Sequence, residues 1–248
     1  MLRNAADGRV RRSRKNFPIG KFSRPCSLWE RAAPRAFHVG PRNAKAFNAL
    51  ALAKADLRLN RTLKAFMNQA LLLIDIQNDY FPGGAMELVG SPAAGVQAGK
   101  LLQAFRQKAR PVIHIQHIST RPGATFFLPD TPGVEIHGSV APKAGETVFQ
   151  KNYPNSFRET PLLEHLRKHQ ITQLVIAGMM TQMCVDSTTR AAADLGFQCV
   201  LAHDACATRG LSFGGKTVPA ESVQTAFLAA LNGLFAKVQS VEEVISNL

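Results

Sequence analysis

The sequence predicts a three-layer α/β/α domain with a doubly wound, mostly parallel sheet of about six strands, of the Rossmann-like type. From residue 67 onward, short apolar runs alternate with longer amphipathic stretches, and this alternation is typical of β-α-β proteins. Several of the runs are apolar at successive positions, as in strands that are covered on both faces. We therefore expect ligands to bind beyond the carboxyl ends of the strands.

The elements are predicted in chain order from these patterns. Five apolar runs predict strands: ALLLIDI at 70–76, PVIHIQ at 111–116, TVFQ at 147–150, QLVIAG at 173–178 and QCVLAHDA at 198–205. Helices are predicted near 93–109, 158–169, 182–195 and 219–236, and VQSVEEV at 238–244 is a candidate sixth strand. The stretch 121–146 is rich in Pro and Gly without a period, which favours a lid or binding loop.

The charge of the chain is concentrated at one end. Residues 1–66 contain 16 Lys and Arg against three acidic residues, which accounts for the whole net charge of +13. We interpret residues 1–66 as a basic, largely disordered arm and residues 67–248 as the folded domain. The arm could be a transit peptide, an over-extended start upstream of Met67, or a tail that binds nucleic acid non-specifically through its charge.

Several classes of protein lack support in the sequence. No apolar stretch reaches the length of a membrane span and no signal peptide is evident, so we expect no membrane partner. We expect a cytoplasmic location, or a mitochondrial one if the arm is a transit peptide. The four cysteines form neither a CxxC pair nor a metal-ligand spacing, and nucleotide-binding glycine motifs are missing, so no metal or other cofactor is predicted.

Three predicted strands end at side chains that can carry chemistry. Asp75 follows LLLI, Lys151 follows TVFQ, and Cys184 follows LVIAG within a helix whose predicted N-cap is near Thr181. Each could be unremarkable, since Asp75 could cap a turn, Lys151 could be solvated and Cys184 could be a small buried apolar residue. A cysteine in the first turn of a helix is favoured as a thiolate, and a nearby ammonium and carboxylate could lower its pKa and accept its proton.

Four segments carry a resemblance to a known family. LLLIDIQNDYF, FQKNYPNSF, GMMTQMCVDSTTRAAADLGF and HDACAT closely resemble the isochorismatase-like cysteine hydrolase superfamily. That superfamily includes nicotinamidases, N-carbamoylsarcosine amidohydrolases, ureidoacrylate and biuret hydrolases and streptothricin hydrolase. The resemblance covers residues 70 to about 206. It implies a catalytic triad of Asp75 as acid/base, Lys151, and Cys184 as nucleophile.

The resemblance also implies the surroundings of that triad. A cis peptide bond is expected between Met179 and Met180, with the backbone N–H groups of Met180 and Cys184 forming the oxyanion hole. By their placement near strand ends, the candidate residues of the substrate pocket are Gln77, Phe81, His117, Tyr153 and Phe157, of which Phe81 and Phe157 could equally be core residues. Members of the family are commonly oligomers, so a homo-oligomer is expected.

The substrate is narrowed by two departures from relatives. Metal-dependent nicotinamidases carry Asp-x-His where this chain has His117 and Ser119, which predicts that no metal binds, although His114, His117 and His137 could gather around zinc. The second departure is from true isochorismatase, which cleaves a vinyl ether and needs no cysteine nucleophile; the presence of Cys184 therefore favours cleavage of a C–N bond in a small amide or ureide. The alternatives are a non-catalytic redox thiol protein, with Cys199 and Cys206 to resolve the disulfide, or a vinyl ether hydrolase of the isochorismatase type.

Overall fold

The computed structural model describes residues 68–248, and their main feature is a six-stranded parallel sheet. The strands are β1 (Gln69–Ile74), β2 (Val112–His117), β3 (Thr147–Lys151), β4 (Gln173–Met179), β5 (Gln198–Ala207) and β8 (Lys237–Gln239). Their order in the sheet is β3-β2-β1-β4-β5-β8. The chain therefore runs outward from β1 through β2 to β3 and then crosses back to β4, which places a topological switch point between β1 and β4.

Helices and a small hairpin complete the domain. The helices are α1 (Ser91–Gln107), α2 (Leu162–Lys168), α3 (Asp186–Asp194), α4 (Ala220–Leu231) and α5 (Val241–Ser246). Strands β6 (Leu211–Phe213) and β7 (Lys216–Val218) pair as an antiparallel hairpin. None of the helices in this part of the chain is long and apolar enough to cross a bilayer.

The core consists of two clusters, one on each face of the sheet. Leu71 and Leu73 of β1 belong to the cluster that contains Leu101 and Phe105 of α1. The alternate residues of β1, such as Leu72, belong to the cluster with residues of α2 and α4, for example Leu166 and Leu231. Because both faces of β1 are covered, successive residues must be apolar. The predicted three-layer α/β fold is confirmed.

The predicted elements differ from the observed ones mainly at their ends. The candidate sixth strand at 238–244 is wrong in extent, because Ser240 and Glu243 form a capping box that starts α5. The helix predicted at 158–169 begins only at Leu162. The helix predicted at 219–236 ends at Leu231. The interpretations of residues 1–66 fall outside the described residues and stay predictions.

Candidate active site

The switch point brings together the three side chains that the sequence places at strand ends. Asp75 follows β1 with a positive φ of 51°, and its backbone N–H donates to the carbonyl of Ile115 at 3.0 Å. Aspartate is among the few residue types that adopt this left-handed conformation readily. Lys151 is the last residue of β3, and Cys184 lies in the turn that follows β4.

Asp75 and Lys151 form a buried ion pair. Nζ of Lys151 lies 2.7 Å from Oδ2 of Asp75, and neither side chain is exposed, so the alternative of a solvated lysine is wrong. Nζ also donates to the carbonyls of Tyr153 and Pro154, at 3.0 and 3.3 Å. Burial is the largest single influence and lowers the pKa of Lys151, but the interactions with Asp75 and Cys184 together outweigh it and the pKa is raised.

The Asp75 carboxylate oxygens have free capacity to accept hydrogen bonds. Its 2.7 Å contact with Lys151 is an ion pair and not a well-aligned hydrogen bond, and neither carboxylate oxygen has an aligned donor among residues 68–248. A carboxylate oxygen of Asp75, a ring nitrogen of His117 and Sγ of Cys184 all lie within 4.8 Å of one another. The proton of the thiol is therefore within reach of the carboxylate through a small movement.

Cys184 is a protonated thiol in this environment. Burial raises the pKa of Cys184, the charge of Asp75 raises it further, and the opposing effect of Lys151 is smaller. The expectation that the helix end stabilises a thiolate is wrong for the resting site, because a sulfur anion here would be desolvated beside a carboxylate.

The turn that carries Cys184 has unusual backbone geometry. A cis peptide bond joins Met179 to Met180, as the resemblance implied. A single π-helical turn, Thr181–Val185, precedes α3. Thr181 is not the N-cap that the sequence suggested, because its hydroxyl donates to the carbonyl of Ala207 at 3.2 Å, on the neighbouring strand β5.

His117 is neutral and completes the cluster. Burial, with further contributions from Lys151 and Arg121, lowers the pKa of His117 to about 4, although Asp75 opposes the shift. Nδ1 of His117 lies 3.0 Å from Nζ of Lys151. Since a charged lysine only donates, Nδ1 is the acceptor and Nε2 carries the ring proton.

A cavity of about 210 Å³ opens above Cys184. Aromatic and methionine side chains form its apolar walls, and its polar lining comes from residues of the loops that follow β2, β3 and β5. The lining residues are Tyr80, Met86, His117, Ser119, Thr120, Arg121, Phe126, Asn152, Pro154, Met180, Met183, Cys184 and Arg209. Both residues of the expected oxyanion hole, Met180 and Cys184, are among them.

Of the five predicted pocket residues, His117 lines the cavity and the other four do not. Gln77 is fully buried, and its amide group bonds the backbone N–H and carbonyl of His117 at 2.8 and 2.9 Å and the carbonyl of Val134 at 2.7 Å. Gln77 therefore joins the end of β2 to a neighbouring loop instead of facing a ligand.

The three aromatic candidates pack elsewhere. Phe81 stacks on His137 with ring centroids 3.5 Å apart. The ring of Tyr153 lies under the guanidinium of Arg158, at 3.6 Å, so that residue contributes only its carbonyl to the site. Phe157 stacks on Phe197 at 6.1 Å. Proximity to a strand end in sequence did not determine the direction of these rings.

Sequence reasoning missed several residues of the cavity. Tyr80 is 1% exposed, and burial is the main cause that raises its pKa well above the ordinary value, with a further contribution from the nearby Asp75 carboxylate. Its hydroxyl is therefore protonated. Arg121 and Phe126 lie in the stretch 121–146, which was predicted to be a binding loop, whereas no sequence signal indicated Arg209.

Asp79 fixes the loop that carries Phe126. Its carboxylate accepts hydrogen bonds from the backbone N–H groups of Phe127, at 2.6 Å, and Ala85, at 3.1 Å. Gly133 packs so closely that an added Cβ would lie 2.1 Å from Oδ1 of Asp79. Asp79 is not among the predicted site residues, although it lies in the segment LLLIDIQNDYF.

The three histidines considered as zinc ligands do not gather. Nε2 of His114 contacts Glu146 at 2.9 Å, and Nδ1 of His137 contacts Ser139 at 2.9 Å. Asp75, His117 and Cys184 are the group of residues in the described domain that could offer ligand atoms to a metal ion. The Lys151 ammonium already contacts two of these three residues, and its charge would repel a divalent cation.

Comparisons with known proteins agree with the fold. The family model described as the Isochorismatase domain matches residues 69–243. Isochorismatase family protein YddQ of Bacillus subtilis (strain 168) is 50% identical over 176 residues, covering 71% of this chain and 98% of that protein. The crystal structure of an isochorismatase hydrolase from Oleispira antarctica is 51% identical, with a TM-score of 0.70, and covers 73% of this chain and 97% of that one.

More distant relatives include hydrolases that are named for their substrates. Streptothricin hydrolase of Streptomyces noursei is 36% identical over 156 residues, or 61% of this chain and 55% of that protein. Maleamate amidohydrolase of Pseudomonas putida is 27% identical over 154 residues, or 56% of this chain and 72% of that protein. From the family match, the close relatives and the shared fold, we conclude that this chain belongs to the isochorismatase family of hydrolases.

Proposed function

We propose that the protein is a cysteine hydrolase that cleaves a C–N bond of a small amide or ureide through a thioester on Cys184. The observation that carries the proposal is the grouping of Asp75 and Lys151, which form a buried ion pair, with Cys184, which lines the cavity. Amidohydrolases among the relatives support the choice of a C–N bond.

The reaction begins with a proton transfer that accompanies bond formation. Because burial keeps Cys184 as a thiol, its proton must pass to Asp75 as Sγ attacks the carbonyl carbon of the substrate. The positive charge of Lys151, 2.7 Å from Asp75, balances negative charge at the site while the thiolate forms. Asp75 is thereby the general base of the first step.

The backbone then stabilises the oxyanion. Attack of Sγ converts the substrate carbonyl into a tetrahedral oxyanion, and the N–H groups of Met180 and Cys184, which both line the cavity, are the donors assigned to it. Losing one such donor typically costs about 3 kcal/mol of barrier height.

Collapse of the intermediate completes the cycle. The C–N bond breaks, Asp75 returns its proton to the departing nitrogen, and an acyl thioester remains on Cys184. Water attacks this thioester while Asp75 accepts a proton from it, and Asp75 then returns that proton to the sulfur as the S–C bond breaks, which regenerates the thiol and the carboxylate. The products are a carboxylic or carbamic acid and ammonia or an amine.

The alternative function, a non-catalytic redox thiol protein, has less support than a cysteine hydrolase. Cys199 and Cys206 are buried, and burial raises the pKa of each to about 12. Sγ of Cys206 donates to the carbonyl of Ala202 at 3.3 Å. Neither cysteine is set up as the accessible, low-pKa thiol that would resolve a disulfide.

An ammonia-release screen over small amides, carbamoyl compounds and ureides tests the proposed function. On any substrate found, Cys184→Ala is expected to lower kcat at least about a thousandfold without unfolding, and Lys151→Met to lower kcat as well. Cys199→Ala, at another buried cysteine, is the matched control and should keep its activity. An acyl adduct on wild-type protein in intact-mass spectra would support the thioester, whereas normal turnover by Cys184→Ala would contradict it.

A further inference from the structure

We infer that the substrate carries a carboxylate group, which Arg121 and Arg209 bind at the mouth of the cavity while the amide is cleaved at Cys184. This inference rests on the proposed function and adds the substrate class to it. It assigns a specificity role to two arginines that the proposed mechanism does not use.

The charge of the cavity lining carries the inference. Two arginines and no aspartate or glutamate are among the lining residues. Both arginines are exposed, and within residues 68–248 neither forms an ion pair or a side-chain hydrogen bond with a protein group. Three other arginines do pair with carboxylates: Arg106 with Glu146, Arg158 with Glu159 and Arg190 with Asp186.

The two arginines reach the cavity from different segments. Arg121 lies in the loop that follows β2, and Arg209 lies between β5 and the hairpin strand β6. Burial is the main cause of the pKa shifts of His117 and Tyr80. The charge of Arg121 further lowers the pKa of His117, and the charge of Arg209 partly opposes the increase in the pKa of Tyr80. The positive charge of each guanidinium group therefore acts inside the cavity, that of Arg121 at His117 and that of Arg209 at Tyr80.

The groups around Cys184 do not cancel the positive charge of Arg121 and Arg209. Asp75 is neutralised by Lys151, His117 is neutral and Cys184 is a thiol. An anionic group placed beside Cys184 would approach the Asp75 carboxylate, which lies within 4.8 Å of Sγ, whereas one placed at the mouth would meet the guanidinium groups of Arg121 and Arg209. The planar fork of a guanidinium matches a carboxylate in two parallel hydrogen bonds, and the space of about 210 Å³ suits a short acyl chain.

Paired compounds that differ in one charge test the inference. Succinamate and glutaramate each carry one amide and one carboxylate, and succinamide and glutaramide are their neutral partners. Calorimetry on the full-length Cys184→Ala protein measures binding without turnover, and ammonia release by wild-type protein gives kcat/KM. We expect the anionic member of at least one pair to bind at least about tenfold more tightly than its neutral partner, as for a hydrogen bond between charged groups.

Single substitutions then assign the effect to the two arginines. Arg121→Gln and Arg209→Gln should each reduce the anionic-to-neutral ratio of affinities about tenfold, with the loss in KM and not in kcat, and the Arg-to-Lys variants should restore part of it. Arg167→Gln, at an exposed arginine of α2 outside the cavity, should leave the ratio unchanged. The ratio should also fall as salt is raised.

The two possible failures can be told apart. If no anionic compound binds more tightly than its neutral partner, or if the preference survives both arginine substitutions, the carboxylate inference is overturned whether or not amides are hydrolysed. If the preference and its dependence on the arginines are found but no compound is cleaved, the carboxylate site stands and the proposed function fails.

Discussion

Burial determines the protonation state of individual residues in the site. It holds Cys184 as a thiol and His117 as a neutral imidazole, whereas Lys151 keeps its charge because Asp75 lies 2.7 Å away. An ion pair that is buried survives only when each partner compensates the desolvation of the other. Asp75, Lys151, His117 and Cys184 together therefore carry no net charge at rest.

His117 gives this residue-scale picture a testable pH dependence. Its folded-state pKa of about 4 lies below the ordinary 6.5 because burial disfavours the imidazolium. The unfolded chain therefore binds the proton first, so the stabilisation is fully present above pH 6.5 and is lost as the pH falls toward 4. The loss from this residue is at most about 3 kcal/mol in the free energy of unfolding.

Urea unfolding at pH 7 and pH 4.5 checks the His117 prediction. The fall in the free energy of unfolding between the two pH values should be smaller in His117→Gln than in wild type. Part of the fall should remain, because burial lowers the pKa of His114 and His137 as well. His169→Gln, at an exposed histidine, serves as the control, and an identical fall in His117→Gln and wild type would refute the assignment.

At the scale of elements, the close approach of β1 and β4 builds the site. Gly178 pairs with Ile74 in the parallel register and has a φ of 147°, where a side chain is strained. A Cβ on Gly178 would lie 2.1 Å from the backbone carbonyl oxygen of Ile74. The residue after Ile74 is Asp75, so this contact sets how near the carboxylate lies to the turn that carries Cys184.

Gly178→Ala is expected to destabilise the protein and impair catalysis together. The added methyl group collides with backbone, which cannot move aside as a flexible side chain would, so the cost in unfolding free energy should exceed about 2 kcal/mol. Gly138→Ala is the matched control, because that Cβ would meet nothing within 4 Å. Denaturant unfolding and amide-hydrolysis rates measure both effects, and a Gly178→Ala protein as stable and active as the control would be inconsistent with this role.

At the scale of the whole molecule, charge and predicted chemistry lie in different parts of the chain. Residues 1–66 carry the net charge of +13, and the remaining residues are neutral overall. The residues of the candidate site all lie within the family match at 69–243. Charge in the arm is therefore expected to govern binding to polyanions without affecting hydrolysis.

A protein that starts at Met67 tests this separation. It should keep the kcat/KM of the full chain on an uncharged amide and should elute from a heparin column at much lower salt, because its basic and acidic residues are equal in number and no excess positive charge remains. Salt-sensitive retention that survives the deletion would contradict the charge argument. The homo-oligomer and the cytoplasmic location stay predictions, and light scattering measures the first.

The sequence by itself determined the fold class and the positions of Asp75, Lys151 and Cys184. A strand that is buried on both faces must be apolar at every position, so Asp75 visibly interrupts that pattern after β1. Strand β3 is only partly buried, and the resemblance of the four sequence segments to the family singled out Lys151 and Cys184 together with Asp75. It also indicated 121–146 as a lid or binding loop, but not which of its residues line the cavity.

Only the tertiary structure decided the composition of the cavity and the charge state of its groups. Tyr80, Arg121 and Arg209 come from three distant segments, and no local pattern relates them. Gln77 and Phe81, close to Asp75 in sequence, instead pack into the domain. A side chain's direction and its pKa depend on the neighbours and the water that packing leaves around it, and those neighbours are fixed only when the whole sheet is assembled.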